Sequence, residues 1–185
     1  MPRTIGILVG SLRKESCTRK IANAIVTLFP ASLQPRFIDI GQLPLYNADL
    51  ETESPPVPWV AFRDQLRTAD AFLFATPEYN RSVPGVLKNA VDVASRPSGR
   101  SAMAGKPAAV VSVSPGAIGA FGANHHLRQS LVYLDMPTML QPEAYIGGVA
   151  KLLGPDGAIT QDSTREFLRK YVQTFEAWIE RTIAK

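Results

Sequence analysis

The residues between the first apolar run and the first helix-like run could bind a phosphate. Three hydroxyl side chains, Ser11, Ser16 and Thr18, stand there with the guanidinium of Arg13. A helix N-terminus presents unpaired N–H groups and a positive dipole end to an anion, hydroxyls donate O–H bonds, and arginine adds a charge-assisted bond. The alternative is a solvated loop in which Ser16 or Thr18 only caps the helix. Three hydroxyls and a cation after a first strand favour the anion site.

A second polar segment, Thr76–Gly85, could bind a flat, hydrogen-bonding group. It follows the apolar run Ala71–Ala75, and Pro77 and Pro84 restrict its backbone. In open α/β sheets ligands bind beyond the carboxyl ends of the strands, where this segment would lie. A rigid backbone with oriented N–H groups and the aromatic ring of Tyr79 suits a planar ligand. An ordinary strand–helix connection is the alternative.

Missing motifs narrow the choice of ligand. The chain has no G-x-x-x-x-G-K-[ST] and, after the first strand, no G-x-G-x-x-G, which excludes a Walker-type loop and a dinucleotide fingerprint. Cys17 has no arginine six residues further on, which argues against a cysteine phosphatase loop. A third loop, Ser114–Gly122, is rich in glycine and would let its backbone approach a ligand, although a flexible connection explains it equally. The sequence thus predicts one phosphate beside a flat group.

Five strand-like runs alternate with five helix-like runs along the chain. The strands are predicted at Thr4–Val9, Arg36–Ile40, Ala71–Ala75, Ala108–Val113 and Glu143–Ile146. The helices are predicted at Arg19–Phe29, Pro58–Thr68, Gly85–Ala94, Ala123–Leu134 and Ser163–Ile183. This alternation predicts an α/β fold, a doubly wound sandwich with a five-stranded parallel sheet of order 2-1-3-4-5 and helices on both faces. Residues 1–185 are interpreted as one domain.

Composition limits the classes of partner. Twenty basic against sixteen acidic residues leave a net charge of +4, too mild and too evenly spread for a nucleic-acid surface. The single cysteine excludes an internal disulfide, and no spacing of Cys, His or acidic residues predicts a metal site. The neighbours His125 and His126 would point about 100° apart on a helix and are poor co-ligands. No apolar run approaches the ~20 residues of a membrane-spanning helix and no signal peptide is evident, so a cytoplasmic protein is expected.

The two polar loops, at this spacing, resemble those of the NAD(P)H-dependent FMN reductase family of flavodoxin-like proteins. Within that family the chain is similar to the bacterial chromate and quinone reductases, a branch that includes soluble ferric-chelate reductases. The resemblance runs from Ile5 to about the C-terminal helix. The matching segments are Gly10-Ser11-Leu12-Arg13 with Ser16, Thr76–Asn80 with Ser82–Gly85, Leu87–Ala90, Leu127–Gln129, and Pro142-Glu143 with Gly147-Gly148.

The resemblance implies FMN as a bound cofactor. Its phosphate would be held by Ser11, Arg13, Ser16 and Thr18, with Cys17 in the same loop; its isoalloxazine ring would be lined by Pro77, Glu78, Tyr79 and Asn80, and flanked on the other side by Ser114 and Gly116. Thr18 stands where relatives often have Asn and remains a donor, whereas Cys17 replaces a frequent aromatic residue. For Glu78 the backbone is expected to act on the flavin, with the side chain facing solvent.

The resemblance also implies the reaction. A hydride would pass from NADH or NADPH to N5 of FMN, and the electrons then to quinones, chromate, ferric chelates or similar acceptors in a ping-pong sequence. The flavin would carry the chemistry, so neither a catalytic side chain nor a metal is predicted. Relatives are dimers or tetramers, so a homodimer or homotetramer is expected. The alternatives are a one-electron carrier of the flavodoxin type, which is usually acidic, and a phosphate-binding regulator without flavin.

Two segments depart from the alternation of strands and helices. Gly41–Pro58 would close over the cofactor, form a subunit interface or be a plain surface loop, and the interface is the first expectation. Ser95–Lys106 is expected near the flavin ring. Arg96 and Arg100 in that segment would meet NADPH or an anionic acceptor, although solvated arginines are the simpler interpretation.

Overall fold

Five parallel strands form the sheet at the centre of the fold. The computed structural model describes residues 1–184. The strands lie in the order β2-β1-β3-β4-β5, and each neighbouring pair is parallel. Their bounds are β1 (Arg3–Val9), β2 (Leu33–Phe37), β3 (Ala71–Thr76), β4 (Ala108–Val113) and β5 (Ala144–Ile146). The predicted flavodoxin-like sandwich of order 2-1-3-4-5 is therefore confirmed.

Helices cover both faces of this sheet. They are α1 (Cys17–Val26), α2 (Val57–Arg67), α3 (Gly85–Ala94), α4 (Phe121–Tyr133) and α5 (Asp162–Ile183), with 3-10 turns at Ala48–Leu50 and Val149–Lys151. One core cluster joins α1 and α5 to alternate strand residues such as Ile5 and Ile7. The second joins α2, α3 and α4 to the strand residues between them, such as Leu8 and Phe72. Because successive side chains of a strand point to opposite faces of the sheet, each strand lies between two apolar layers.

The second strand was predicted at the wrong residues. The sequence places it at Arg36–Ile40, whereas Leu33–Phe37 pairs with β1, from Arg3↔Leu33 to Ile7↔Phe37. β2 is an edge strand in which only Leu33 is buried, so it carries little apolar signal. The alternating Ile38 and Ile40 belong to the core beyond its end, where they pack with α2 and α3. Pro35 inside β2 is compatible with this edge position.

The long segment Gly41–Pro58 lies against α2 and α3. The Asn89 side chain on α3 donates to the carbonyl groups of Leu43 and Pro44 at 3.2 and 3.1 Å and accepts from the N–H of Tyr46 at 2.8 Å. The Trp59 indole N–H also donates to Pro44, and its ring lies 5.3 Å from that of Tyr46. The segment is therefore held by buried polar contacts, and its role in a subunit interface stays a prediction.

A buried ion pair completes this attachment. The Arg63 guanidinium on α2 donates to both carboxylate oxygens of Glu51, at 2.9 and 2.6 Å, and to the carbonyl oxygen of Val93 on α3 at 2.9 Å. The two side chains are only 4% and 15% exposed. Arg63 thus joins the long segment to two helices at once.

The segment Ser95–Lys106 does not lie near the three loops that follow β1, β3 and β4. Helix α3 returns from the carboxyl end of β3 to the start of β4, so this segment lies at the amino ends of the strands, opposite to those loops. Ala102 and Met103 are buried in the core there. Within one subunit the segment is not near the flavin ring, which corrects that expectation, whereas a contact of Arg96 or Arg100 with NADPH stays a prediction.

Tyr171 is a buried tyrosine whose hydroxyl has no hydrogen-bond partner among the described residues. Burial raises its pKa far above the ordinary value of 10, partly opposed by the nearby Arg128. A raised folded-state pKa gives a stabilisation that is present below pH 10 and is lost as pH rises beyond it. The unfolding free energy of the protein is therefore expected to fall in alkaline solution.

Replacing Tyr171 with phenylalanine is expected to raise the unfolding free energy at pH 7 by about 1 kcal/mol, because an unpaired buried hydroxyl is removed. The variant is also expected to lose less stability between pH 7 and strongly alkaline pH. Denaturant unfolding at both pH values measures this. Tyr133→Phe is the control, since Tyr133 is 84% exposed and its removal should change neither value. A destabilised Tyr171→Phe would contradict the prediction.

No helix among residues 1–184 is both long enough and apolar enough to cross a membrane.

Candidate active site

The loop between β1 and α1 contains the hydroxyl groups that the sequence assigns to an anion. Ser16 is the N-cap of α1, and its Oγ accepts from the N–H of Arg19 at 3.1 Å, so the capping interpretation holds for this residue. Ser11 and Thr18 are also buried, yet neither side chain makes a hydrogen bond within residues 1–184. Their hydroxyl groups are available to a ligand at the N-terminus of the helix. Cys17, partly exposed, is the first residue of α1.

Arg13 supplies a cation to the same loop. Its side chain is exposed and makes no ion pair with any described residue. Lys20, by contrast, is paired with Glu15 at 2.7 Å. Arg13 is therefore left to bind an anionic ligand, as is its exposed neighbour Lys14, which does not line the adjoining pocket.

A pocket of about 410 Å³ lies between this first loop and the loop after β3. A volume in the range of about 300–1,000 Å³ is usual for small-molecule sites. Its wall consists of residues from both loops and from the start of α3, namely Gly10, Leu12, Arg13, Tyr79, Pro84, Gly85 and Val86. Arg13 and Tyr79 were predicted as ligand-binding residues, whereas Leu12 and the Pro84–Val86 stretch were not.

Gly10 allows the two loops to meet. A Cβ atom there would lie 3.0 Å from Leu87 and 3.2 Å from Pro77. The N–H of Gly10 also donates to the carbonyl oxygen of Ala75 at 2.8 Å, which continues the pairing of β1 with β3. The loop expected to hold the phosphate and the loop expected to line the ring are thus neighbours at the carboxyl ends of the strands.

The side chain of Glu78 was expected to face solvent, but the structure buries most of it. It is only 12% exposed, and its Oε2 accepts from the N–H of Ala123 in the first turn of α4 at 3.0 Å. Ala120, the N-cap of α4, makes no side-chain cap bond, so a carboxylate from another loop takes that role. Glu78 thereby fixes the loop after β3 to α4.

Residues 79–82 form a tight turn on the same loop. Tyr79 and Ser82 exchange backbone hydrogen bonds of 3.1 and 3.0 Å, while Asn80 and Arg81 between them have φ values of 51° and 64°. The Ser82 hydroxyl is 3.0 Å from Nδ1 of His126 on α4. His125 contacts a different residue, Tyr145, at 3.0 Å. Among residues 1–184 no three His, Cys, Asp or Glu side chains are grouped to hold a metal ion.

The loop after β4 is held by the end of β5. The N–H of Ser114 donates to the carbonyl oxygen of Ile146 at 3.0 Å, and the N–H of Gly148 donates to that of Gly116 at 3.1 Å. The Ser114 hydroxyl accepts from the N–H of Gly116 at 3.0 Å, so it stabilises its own loop. Neither predicted residue lines the pocket described above. Their place on the other flank of the ring stays a prediction.

A family model for NADPH-dependent FMN reductases matches residues 3–151 of the chain. The chain belongs to this family. A quinone reductase of Pseudomonas putida is 59% identical over 96% of this chain and 95% of its own. A 2-hydroxy-1,4-benzoquinone reductase of a Burkholderia species is 44% identical over 97% of each chain. The solved structure of FerB, a flavoenzyme NAD(P)H:(acceptor) oxidoreductase from Paracoccus denitrificans, superposes with a TM-score of 0.91 at 41% identity, covering 97% of this chain and 98% of FerB.

Membership of the NADPH-dependent FMN reductase family makes FMN the cofactor and NAD(P)H the co-substrate, as predicted. The residues present fit that cofactor. The buried hydroxyl groups of Ser11 and Thr18 and the unpaired guanidinium of Arg13 suit a phosphate, and the adjoining pocket reaches Tyr79 on the neighbouring loop. The assignment of individual residues to the phosphate and the ring is a proposal that mutation can test.

Arg13→Ala is expected to weaken FMN binding by about 1.5–3 kcal/mol, because a charge-assisted hydrogen bond to the phosphate is lost. Titration of the apoprotein with FMN, followed by flavin fluorescence, measures the change in Kd. Lys14→Ala is the matched control, since it removes the same charge from an exposed neighbour in the same loop. Equal weakening in both variants would mean that only the general positive potential matters, and an unchanged Kd for Arg13→Ala would refute the phosphate contact.

Proposed function

We propose that this protein is an FMN-containing NAD(P)H:quinone oxidoreductase acting by a ping-pong mechanism. The observation that carries the proposal is the pocket that joins Arg13 to Tyr79, between the loop predicted to bind the phosphate and a tight turn, in a chain of the FMN reductase family. The names of the Pseudomonas putida and Burkholderia relatives support quinones as acceptors. Chromate and ferric chelates are further acceptors to be tested. Residues 1–185 would act as one FMN-binding domain.

When bound, FMN supplies the redox chemistry, since it accepts a hydride at N5 and gives electrons to an acceptor. The chain's own residues bind and orient it. Ser11, Arg13, Ser16 and Thr18, beside Cys17, would bind the phosphate at the start of α1. The backbone N–H groups of Glu78 and Asn80 would face the pyrimidine edge of the ring and stabilise negative charge there, whereas that of Tyr79 donates to Ser82 within the turn. Glu78 acts indirectly, because its carboxylate holds the loop on α4.

A visible spectrum of the purified protein, followed by anaerobic addition of NADH or NADPH and then a quinone, tests the proposal. Flavin absorbance that bleaches with either nucleotide and returns with the quinone is the expected result. A flavin that resists both nucleotides would favour a one-electron carrier, and a protein with no affinity for FMN would leave only the fold.

Initial rates at several fixed quinone concentrations test the order of the reaction. Parallel lines in double-reciprocal plots are expected, because in a ping-pong sequence the nicotinamide product would leave before the quinone binds. Intersecting lines, which require both substrates to be bound together, would refute the ping-pong sequence. The same assay with chromate and a ferric chelate ranks the acceptors by kcat/KM.

We also propose that the protein is a homodimer or homotetramer. Several large apolar side chains stand exposed on α4 and after it, including Val132 at 74%, Tyr133 at 84% and Leu140 at 69%. Contact with a second copy would remove such surface from water. Sedimentation equilibrium measures the mass in solution, and a monomer at micromolar concentration would refute the proposal.

A further inference from the structure

Arg81 occupies a backbone position that disfavours it. The turn at residues 79–82 has two central residues, both left-handed, at φ 51° for Asn80 and 64° for Arg81. Two-residue turns of this kind favour Asn followed by Gly, because both central positions require positive φ and glycine has no Cβ. Asn80 follows that preference. Arg81 stands where glycine would be the least strained residue.

The contacts of Arg81 within the chain do not account for an arginine. Its side chain is 74% exposed, and its one ion pair is to Oε1 of Glu78 at 3.2 Å. Because its arginine is exposed to solvent, such a pair is screened by water and contributes little to stability. Glu78 does not depend on it for position, because its other carboxylate oxygen already accepts from the N–H of Ala123. The guanidinium therefore has most of its donors directed to solvent.

The position of the Arg81 backbone is nevertheless fixed. A Cβ atom on Gly122 would lie 2.7 Å from the Arg81 carbonyl oxygen and 2.9 Å from Oε2 of Glu78, so the turn rests directly on the first turn of α4. Ser82, the next residue, contacts His126 on the same helix. The long, exposed side chain of Arg81 thus extends from a fixed backbone, in the same turn as Tyr79 of the pocket wall.

A cation in this region would stabilise the bound co-substrate. NADH carries a pyrophosphate and NADPH an additional 2′-phosphate, and each of these anions must lie outside the ring site when the nicotinamide meets the flavin. Arg13 is the one charged residue in the pocket wall, and the proposed function assigns it to the FMN phosphate. Within the same subunit, Arg96 and Arg100 lie at the opposite end of the strands from this loop. Arg81 is the cation on the ring-side loop.

We propose that Arg81 binds a phosphate group of the incoming NADH or NADPH. Guanidinium groups suit phosphate because their parallel N–H donors match two of its oxygens. The inference rests on the proposed function, since it needs a pyridine dinucleotide that reduces the bound flavin. In this proposal Arg81 recognises the hydride donor by its phosphate groups, whereas the other site residues bind FMN.

Arg81→Gly tests this without a risk to folding, because glycine suits a φ of 64° better than arginine does. Three hydride donors are compared at saturating quinone: NADPH, NADH and reduced nicotinamide riboside, which has no phosphate. The expected result is unchanged FMN binding and a kcat/KM about 10- to 100-fold lower with the phosphorylated donors, as for loss of a charged hydrogen bond. The value with the riboside should not change. Arg81→Lys should recover part of the loss.

The pattern across donors identifies the phosphate. A loss with both NADH and NADPH indicates the pyrophosphate, and a loss with NADPH alone indicates the 2′-phosphate. Arg67→Ala, in the last turn of α2, is the charge control and should leave all three values unchanged. An equal loss with the riboside would mean that Arg81 only shapes the ring site, and unchanged values with both dinucleotides would mean that it binds no phosphate. Either result overturns the inference.

Failure of the inference can be told from failure of the proposed function. A wild-type protein that turns over NADH or NADPH, together with an Arg81→Gly variant that matches it, overturns the role of Arg81 alone. A wild-type protein that oxidises none of the three donors in the presence of FMN overturns the reductase proposal, and the role of Arg81 with it.

Discussion

Gly119→Ala is expected to lower the unfolding free energy by about 2–5 kcal/mol, the sum of a left-handed backbone and an overpacked contact. Gly119 has a φ of 60°, and a Cβ atom there would lie 2.5 Å from the carbonyl carbon of Tyr145 and 2.9 Å from the N atom of Ile146. Both are backbone atoms at β5, which cannot rotate away as a side chain would. The loop after β4 would have to move off the strand. Denaturant unfolding measures the loss.

Gly148→Ala separates the two contributions. Gly148 has a φ of 59°, yet nothing lies within 4 Å of a Cβ atom placed there. Its replacement should therefore cost only the left-handed conformation, about 1–2 kcal/mol. The additional loss of unfolding free energy in Gly119→Ala then measures the contact with β5. Gly119→Ala should also bind FMN more weakly if Ser114 and Gly116 flank the ring. Equal losses in the two variants would mean that the loop moves freely.

Arg63→Met is expected to destabilise the protein by about 3–5 kcal/mol, because it leaves the Glu51 carboxylate buried without its partner. The pair is 4% and 15% exposed, and Arg63 also donates to Val93 on α3. The variant should loosen the Gly41–Pro58 segment, since Glu51 is one of its links to α2. Unfolding by denaturant gives the free energy, and limited proteolysis reports cleavage within the segment.

Two further variants serve as controls for Arg63. The Arg67–Asp64 pair on the same helix is 49% and 63% exposed, so Arg67→Met should cost at most about 1 kcal/mol. The double variant Arg63→Met with Glu51→Leu removes both charges and should regain much of the loss, since an apolar pair of similar size avoids the desolvation of two ions. A double variant as unstable as Arg63→Met would locate the effect in the Val93 contact instead.

The order of the sheet could be predicted from the sequence because the fold repeats one simple unit. Helix α3 was predicted at Gly85–Ala94, its observed bounds, since a proline precedes it and its apolar residues recur at helical spacing. The position of β2 could not be predicted from the sequence, because an alternating apolar pattern indicates which residues are buried and not which residues pair with a neighbouring strand. Leu33–Phe37 pairs with β1 while four of its five residues are exposed, and the buried Ile38 and Ile40 lie beyond its end.

The candidate site was predicted in part for a similar reason. Loops beyond the ends of parallel strands must meet, so Arg13 and Tyr79 could be expected on one pocket from topology alone. The roles of Glu78 and Asn89 could not, since each depends on a partner distant in sequence: Ala123 for Glu78, and the Leu43–Tyr46 stretch for Asn89. One local signal was available for the turn that contains Arg81, because Asn tolerates the left-handed backbone conformation and is common in tight turns.

The edge strand β2 has a consequence for self-association. The N–H of Ile38 donates to the carbonyl oxygen of Ile7, and N–H directions alternate along a strand, so Pro35 stands where an N–H would point outward. The outward N–H of Leu33 is already bonded to the carbonyl oxygen of Pro30. At the opposite edge β5 has only three residues. Neither margin offers a row of donors to a foreign strand, which protects the sheet from edge-to-edge aggregation and directs any contact between copies to the helices.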